Sequence, residues 1–151
     1  MAKVSTRSPL FREKAQISED VAYVLNDVKL HHCAKFAVVD QAIWIWSEFD
    51  GKYRGCKLWS KKAKSGDEKY GSLVHEHAVP RKEVRHRLFH LVKPTPASVA
   101  KILDIFGFGV VVTKLEDATL VKAGLSSKMP ADWDGHDVFA RYKAVGIELA
   151  A

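Results

Sequence analysis

Apolar residues recur at helical spacing along most of this chain. Val21, Val24, Leu25 and Val28 fall at i, i+3, i+4 and i+7 behind Ser18, a good N-cap, and predict a first helix from about 19 to 30. Val39, Ala42, Ile43 and Trp46 repeat that spacing. Trp44 and Ile45 add apolar character on the remaining sides, which implies deep burial, although alternation here also permits a strand. Asp50-Gly51 marks a turn, and the charged, glycine-interrupted stretch from Lys57 to Tyr70 reads as a short helix followed by a loop. Pro80 suits a first helical turn. With Val84, Leu88, Leu91 and Val92 on one third of the wheel, it predicts an amphipathic helix from Pro80 to Val92.

The second half of the chain carries the firmest local signals. Thr95-Pro96 supplies an N-cap and a proline at the first helical position, Val99, Ile102, Leu103 and Phe106 form one face, and Gly107 is placed to end the helix. Val110, Val111 and Val112 form a β-branched run that leads into Thr113-Lys114-Leu115-Glu116. That T-x-x-E capping box predicts a strand-to-helix junction, with Gly124 as the helix stop. After a turn at Met129-Pro130, Val138, Phe139, Tyr142 and Val145 predict a last helix ending at Gly146, and Ile147 to Leu149 are expected to return beside Val110 to Val112. The expected fold is α+β and mainly helical, with about five helices and a small two- or three-stranded sheet that includes residues 109–113 and 146–149. Residues 1–16 read as a basic N-terminal arm and 17–151 as one globular domain, because no repeat, linker or low-complexity tract divides them.

Composition narrows the class. A chain of 151 residues with 47% hydrophobic positions can bury a real core, and no apolar run approaches the roughly 20 residues of a membrane span. The first sixteen residues hold Lys3, Arg7, Arg12 and Lys14 but no apolar h-region, so a cytoplasmic location and no membrane association are expected. Cys33 and Cys56, 23 positions apart, read as free thiols. The formal charge of +6 and a pI near 9.3 favour a polyanion or an acidic protein surface as partner.

Three stretches carry candidate chemistry. The helix from Pro80 places Arg81, Lys82, Arg85, His86, Arg87 and His90 where they could follow a phosphate backbone; a solvated or internally paired face is the structural alternative. Lys57, Lys61, Lys62 and Lys64 surround Trp59, with Tyr53 and Arg54 upstream, the mixture of cations and rings found in single-strand binders. Trp44 and Trp46 suit the core, whereas Trp133 sits in the polar turn Asp132-Trp133-Asp134-Gly135-His136-Asp137 and is expected to be exposed. Arg141 could clamp an anion or pair with Asp137.

The third stretch is Leu73-Val74-His75-Glu76-His77-Ala78-Val79-Pro80. Glu76-His77 followed by Pro80 resembles the opening motif of HNH-type ββα-metal endonucleases. That resemblance implies a divalent metal on Glu76, with His75 as a further ligand, and His77 as general base on water. The chain departs from the pattern in having Asn26 as its single asparagine and in starting a helix where the family has a second strand. The alternative is structural: His75 and His77 project from one side of an extended segment while Glu76 pairs with an arginine or the next helix. A zinc site drawn from His32, Cys33, Cys56, His75 and His77 lacks any knuckle spacing.

The leading expectation is therefore a small basic non-enzymatic protein that engages nucleic acid or a nucleoprotein complex, as a regulator or inhibitor, without a cofactor. A metal-dependent nuclease centred on His75, Glu76 and His77 is the second, and a module docking on an acidic protein surface the third.

Overall fold

The computed structural model describes residues 13–67, 69 and 71–151. Seven α-helices and a two-stranded antiparallel sheet occur among them, in the order α1 (Lys14–Asn26), α2 (His32–Ser47), α3 (Lys61–Ser65), β1 (Leu73–His77), α4 (Arg81–Phe89), α5 (Pro96–Phe106), β2 (Gly109–Thr113), α6 (Lys114–Lys122) and α7 (Ala140–Val145). The α+β, mainly helical class expected from the pattern is the one observed, with two more helices than anticipated. None of these helices is long and apolar enough to cross a membrane.

Helices α1, α2, α4 and α5 pack together. Their shared core holds Ile17, Val21, Val39, Ile43, Trp46, Val84, Leu88, Val99 and Leu103, all at most 5% exposed. A second core forms where α6 and α7 cover the sheet, around Val110, Val112, Leu120, Tyr142 and Ile147. β1 lies between the two. It pairs with β2 in the register Leu73↔Thr113, His75↔Val111 and His77↔Gly109.

Local chemistry explains where these elements begin. Thr95 accepts from the Ser98 amide at 3.1 Å and Ser98 Oγ accepts from the Thr95 amide at 2.9 Å, so α5 opens on a complete capping box with Pro96 at its first position. At α6 the box is buried. Glu116 Oε2 accepts from the Thr113 amide at 2.9 Å, from Thr113 Oγ1 at 3.1 Å and from Ser60 Oγ at 2.6 Å, which ties the helix start to the segment before α3. Ser60 Oγ in turn caps α3 by accepting from the Ala63 amide at 3.0 Å.

Several boundaries differ from the pattern, each for a local reason. α1 begins at Lys14 because Glu13 and Gln16 form its capping box, and Ser18 is a buried interior residue whose hydroxyl donates to the Ala15 carbonyl at 2.8 Å. The expected arm thus gives up residues 14–16 to the helix; residues 1–12 lie outside the described residues. Asp27 ends α1, which leaves Val28 93% exposed on the following loop instead of on the buried face. α4 stops at Phe89, short of Val92. Residues 146–149 do not return beside β2: Leu149 bridges Ser60, and it is Trp59 that bridges Val111.

Gly109 has a further constraint. A Cβ built there would lie 2.2 Å from two atoms of the His75 ring, so the absence of a side chain on β2 is what lets that imidazole settle. The His75 side chain is fully buried and has nowhere to retreat. Gly109→Ala is expected to lower unfolding free energy by about 1–3 kcal/mol through overpacking, measured by urea denaturation.

Candidate functional site

Strand alternation divides the histidine-rich stretch. Residues 75 and 77 point to one face of β1 and residue 76 to the other. On the α7 side, Glu76 accepts from Arg141 Nη2 through Oε1 and from the Tyr142 hydroxyl at 2.6 Å through Oε2. Burial pushes the Glu76 carboxyl up, against the downward pull of Arg141 and Tyr142. Burial and the neighbouring Glu76 push the Tyr142 phenol well above its ordinary value, so it stays a proton donor. Both carboxylate oxygens are thus engaged away from the histidines.

Arg141 is 0% exposed and uses its whole donor set internally. Nε donates to the Ala78 carbonyl at 3.1 Å. Nη1 donates to the carbonyls of Leu125 at 2.6 Å and Ser126 at 3.4 Å, and Nη2 donates to Glu76 and the His77 carbonyl. The expected anion clamp is therefore an internal tie, and Asp137 pairs with Lys143 at 2.6 Å in its place.

On the α2 side, His75 Nδ1 stands 3.7 Å from Glu48 Oε1, and Glu48, at the end of α2, is 2% exposed. The His77 ring lies 5.4 Å from Trp44 and 6.1 Å from His75, centroid to centroid. Desolvation, with His75, Arg81 and Arg141 nearby, lowers the His77 pKa to about 3, while a backbone hydrogen bond with Ile43 pulls the other way. His77 is accordingly a neutral imidazole near pH 7. A base this weak is poorly matched to water activation at that pH, for which a pKa near the working pH serves best. Glu76, which borders the same cleft as His75 and His77, is held by Arg141 and Tyr142. Among the described residues no three His, Cys, Asp or Glu side chains are grouped to hold a metal ion.

In front of the histidines lies a cleft of about 340 Å³ between α2, the start of α4 and the loop after α6. Arg81, Lys82 and Arg85 line it, together with Asp40, Trp44, Ser126, Ser127 and the strand residues His75, Glu76 and His77. Asp40 on α2 accepts from both arginines, from Arg81 Nη1 at 2.7 Å through Oδ2 and from Arg85 Nη1 through Oδ1. The guanidinium of Arg81 rests 4.9 Å over Trp44 and that of Arg85 4.0 Å over Phe36. Two guanidiniums four residues apart on one helix are thereby fixed side by side.

The other expected binding residues fall elsewhere. Arg87 donates to the Gly135 carbonyl at 2.9 Å, pairs with Glu83 at 3.2 Å and lies between Phe106 and Trp133. Trp133 is accordingly half-buried, its Nε1 donating to the Asp137 carbonyl at 2.8 Å. The rings of His86 and His90 meet at a 45° tilt, 4.0 Å between centroids, on the exposed side of α4. Lys61 pairs with Glu148, Lys64 donates to the Ala151 carbonyl at 3.1 Å, and Lys57 and Lys62 are exposed; none of these four lines the cleft. Cys33 and Cys56 are free thiols. Burial pushes the Cys56 thiol up, and it donates to the Leu58 and Gly109 carbonyls at 3.3 Å. Asp40, Trp44, Ser126 and Ser127 were not singled out as cleft residues by sequence, since nothing in their spacing shows that α2 and the loop after α6 meet α4.

Two measurements check this arrangement. Arg141→Ala is expected to cost about 3–5 kcal/mol in urea unfolding, because it strands Glu76 and several carbonyls, and Arg141→Lys should not restore it, since one ammonium cannot reach all the acceptors. For His77, the folded pKa lies below the unfolded one, so between pH 6.5 and about 3 the unfolded state holds the extra proton and stability falls as pH falls. In that window His77→Phe should remove a slope of up to about 1.4 kcal/mol per pH unit, and the His77 ring resonances of the native protein should not titrate between pH 8 and 5.

Comparison of the chain with protein-family models, with curated proteins and with solved structures finds no match.

Proposed function

We propose that the protein binds nucleic acid through the cleft at the start of α4, as a non-catalytic module that regulates or inhibits a nucleoprotein complex. The observation that carries this reading is the pair Arg81 and Arg85, held together at the cleft by the single carboxylate of Asp40. Each guanidinium has five N–H donors, and one carboxylate consumes only part of that capacity. With Lys82 alongside and Glu76 matched by Arg141, the cleft carries an excess of positive charge. The overall charge of +6 adds a long-range attraction to a polyanion.

Pre-organisation favours phosphate as the group received. Arg81 and Arg85 are held over the Trp44 and Phe36 rings, so less side-chain freedom is lost when a phosphate oxygen takes up their remaining N–H groups. The exposed Ser126 and Ser127 offer hydroxyls across the cleft. Because Arg81 occupies a face of Trp44, that ring is a support for the cation rather than a platform for a base. Contacts of this kind position a backbone and do not read sequence.

Fluorescence anisotropy with labelled single- and double-stranded oligonucleotides tests the reading. Affinity should fall steeply with salt and vary little with sequence. Arg81→Ala combined with Lys82→Ala should weaken binding and reduce the slope of log K against log salt by about 1.5–2, whereas the same exchange at Lys61 and Lys64 should change it far less. Absence of binding at low salt would overturn the proposal and turn attention to an acidic protein as the partner of the cleft.

A further inference from the structure

The far end of α4 borders a different kind of surface. A groove of about 370 Å³ runs between the loop joining α1 to α2 and the loop joining α4 to α5, lined by Leu25, Leu30, His32, Phe89, Leu91 and Pro94 above the buried Leu88. Asn26 Nδ2 donates to the Pro94 carbonyl at 2.7 Å and ties the two loops together. Val28 on one loop and Val92 on the other stand almost wholly in solvent, at 93% and 88% exposure, and each lies two residues from that tie. Lone exposed apolar side chains are ordinary, but here one stands on each of the two loops that flank the groove. Next to Val92, Lys93 has φ 53°, a left-handed conformation that costs a residue with a Cβ and that precedes a proline. The fold maintains this turn, and with it the exposure of Val92.

The surroundings are cationic. Lys29 and Lys93 belong to the same loops, and Lys35 lines the groove with its ammonium donating to the Leu25 carbonyl at 3.0 Å. The one acid within these loops, Asp27, is turned onto its own backbone, accepting from the Lys29 amide at 2.7 Å.

We propose that this groove docks an acidic amphipathic segment of a partner protein. Its apolar side chains enter over Leu30, Phe89 and Leu91, and its carboxylates face Lys29, Lys35 and Lys93. The recessed leucine, phenylalanine and proline side chains fit an inserted row of apolar side chains better than the flat face of a bilayer does. This surface is separate from the cleft. α4 spans about 13 Å, so Arg81 at one end and Phe89 at the other are free to meet different partners.

The test is a titration of the ¹⁵N-labelled full chain with a synthetic helical peptide bearing Leu at i, i+3, i+4 and i+7 and Glu elsewhere. Shifts are expected within residues 25–35 and 86–94. Val28→Ser with Val92→Ser, both exposed and safe for folding, should weaken binding at least 10-fold, as should Lys29→Glu with Lys93→Glu. Arg81→Ala with Lys82→Ala should leave peptide affinity unchanged, which separates this surface from the nucleic-acid cleft. Equal binding of a peptide with Ser in place of Leu would overturn the proposal in favour of charge alone. So would absence of shifts, binding to phosphatidylserine vesicles without binding to the peptide, or the same shifts produced by raising protein concentration.

Discussion

The buried guanidinium of Arg141 is the tie on which the second half of the molecule depends. It gathers carbonyls from the end of β1 and from the loop after α6, and it sets the Glu76 carboxylate between itself and Tyr142. An ion placed where water cannot reach is stable only when every N–H finds an acceptor, so the position of each of these segments is set by the others. Ala78 to Pro80 continue directly from this tie to the first residues of α4. Arg81 and Lys82 thus start from a segment whose position this buried charge fixes.

That arrangement changes the meaning of the histidine-rich stretch. Read as a string, His75-Glu76-His77 places two imidazoles around a carboxylate. Folded as a strand, it hands the carboxylate to one core and the imidazoles to the other. The acid becomes half of an ion pair, and the histidines become neutral or enclosed rings beside α2. The positive surface in front of them comes instead from the next helix, where Asp40 gathers two arginines that would otherwise repel each other.

Much of the fold was legible because its signals are local. Thr95-Pro96 and Thr113-x-x-Glu116 act within one turn of the chain, so capping chemistry located α5, β2 and α6 nearly to the residue. The start of α1 was missed because Glu13 and Gln16 form a less familiar capping pair than Ser18 suggested. The partner of β2 was missed because pairing across 36 residues, from His75 to Val111, leaves no mark in either segment's periodicity. The same holds for the cleft. The cations of α4 stand out in the sequence, but their sorting into Arg81 and Arg85 on Asp40, Arg87 on Gly135, and exposed His86 and His90 is decided by neighbours far away in the chain. Arg141, expected to clamp an anion or pair with Asp137, is buried instead, because charge alone does not reveal burial.

The two-stranded sheet has one more consequence. Gly109-Val110-Val111-Val112-Thr113 is the segment of this chain best suited to pair with copies of itself, yet neither of its edges is open. β1 occupies one side, and on the other the Val111 amide donates to the Leu58 carbonyl while its own carbonyl accepts from the Ser60 amide, both at 2.9 Å. The short stretch from Leu58 to Ser60 therefore acts as a guard strand. While it is docked, and Ser60 is anchored by Glu116, the valine run offers no template for aggregation; the hazard is confined to chains in which this stretch has yet to dock or has come away.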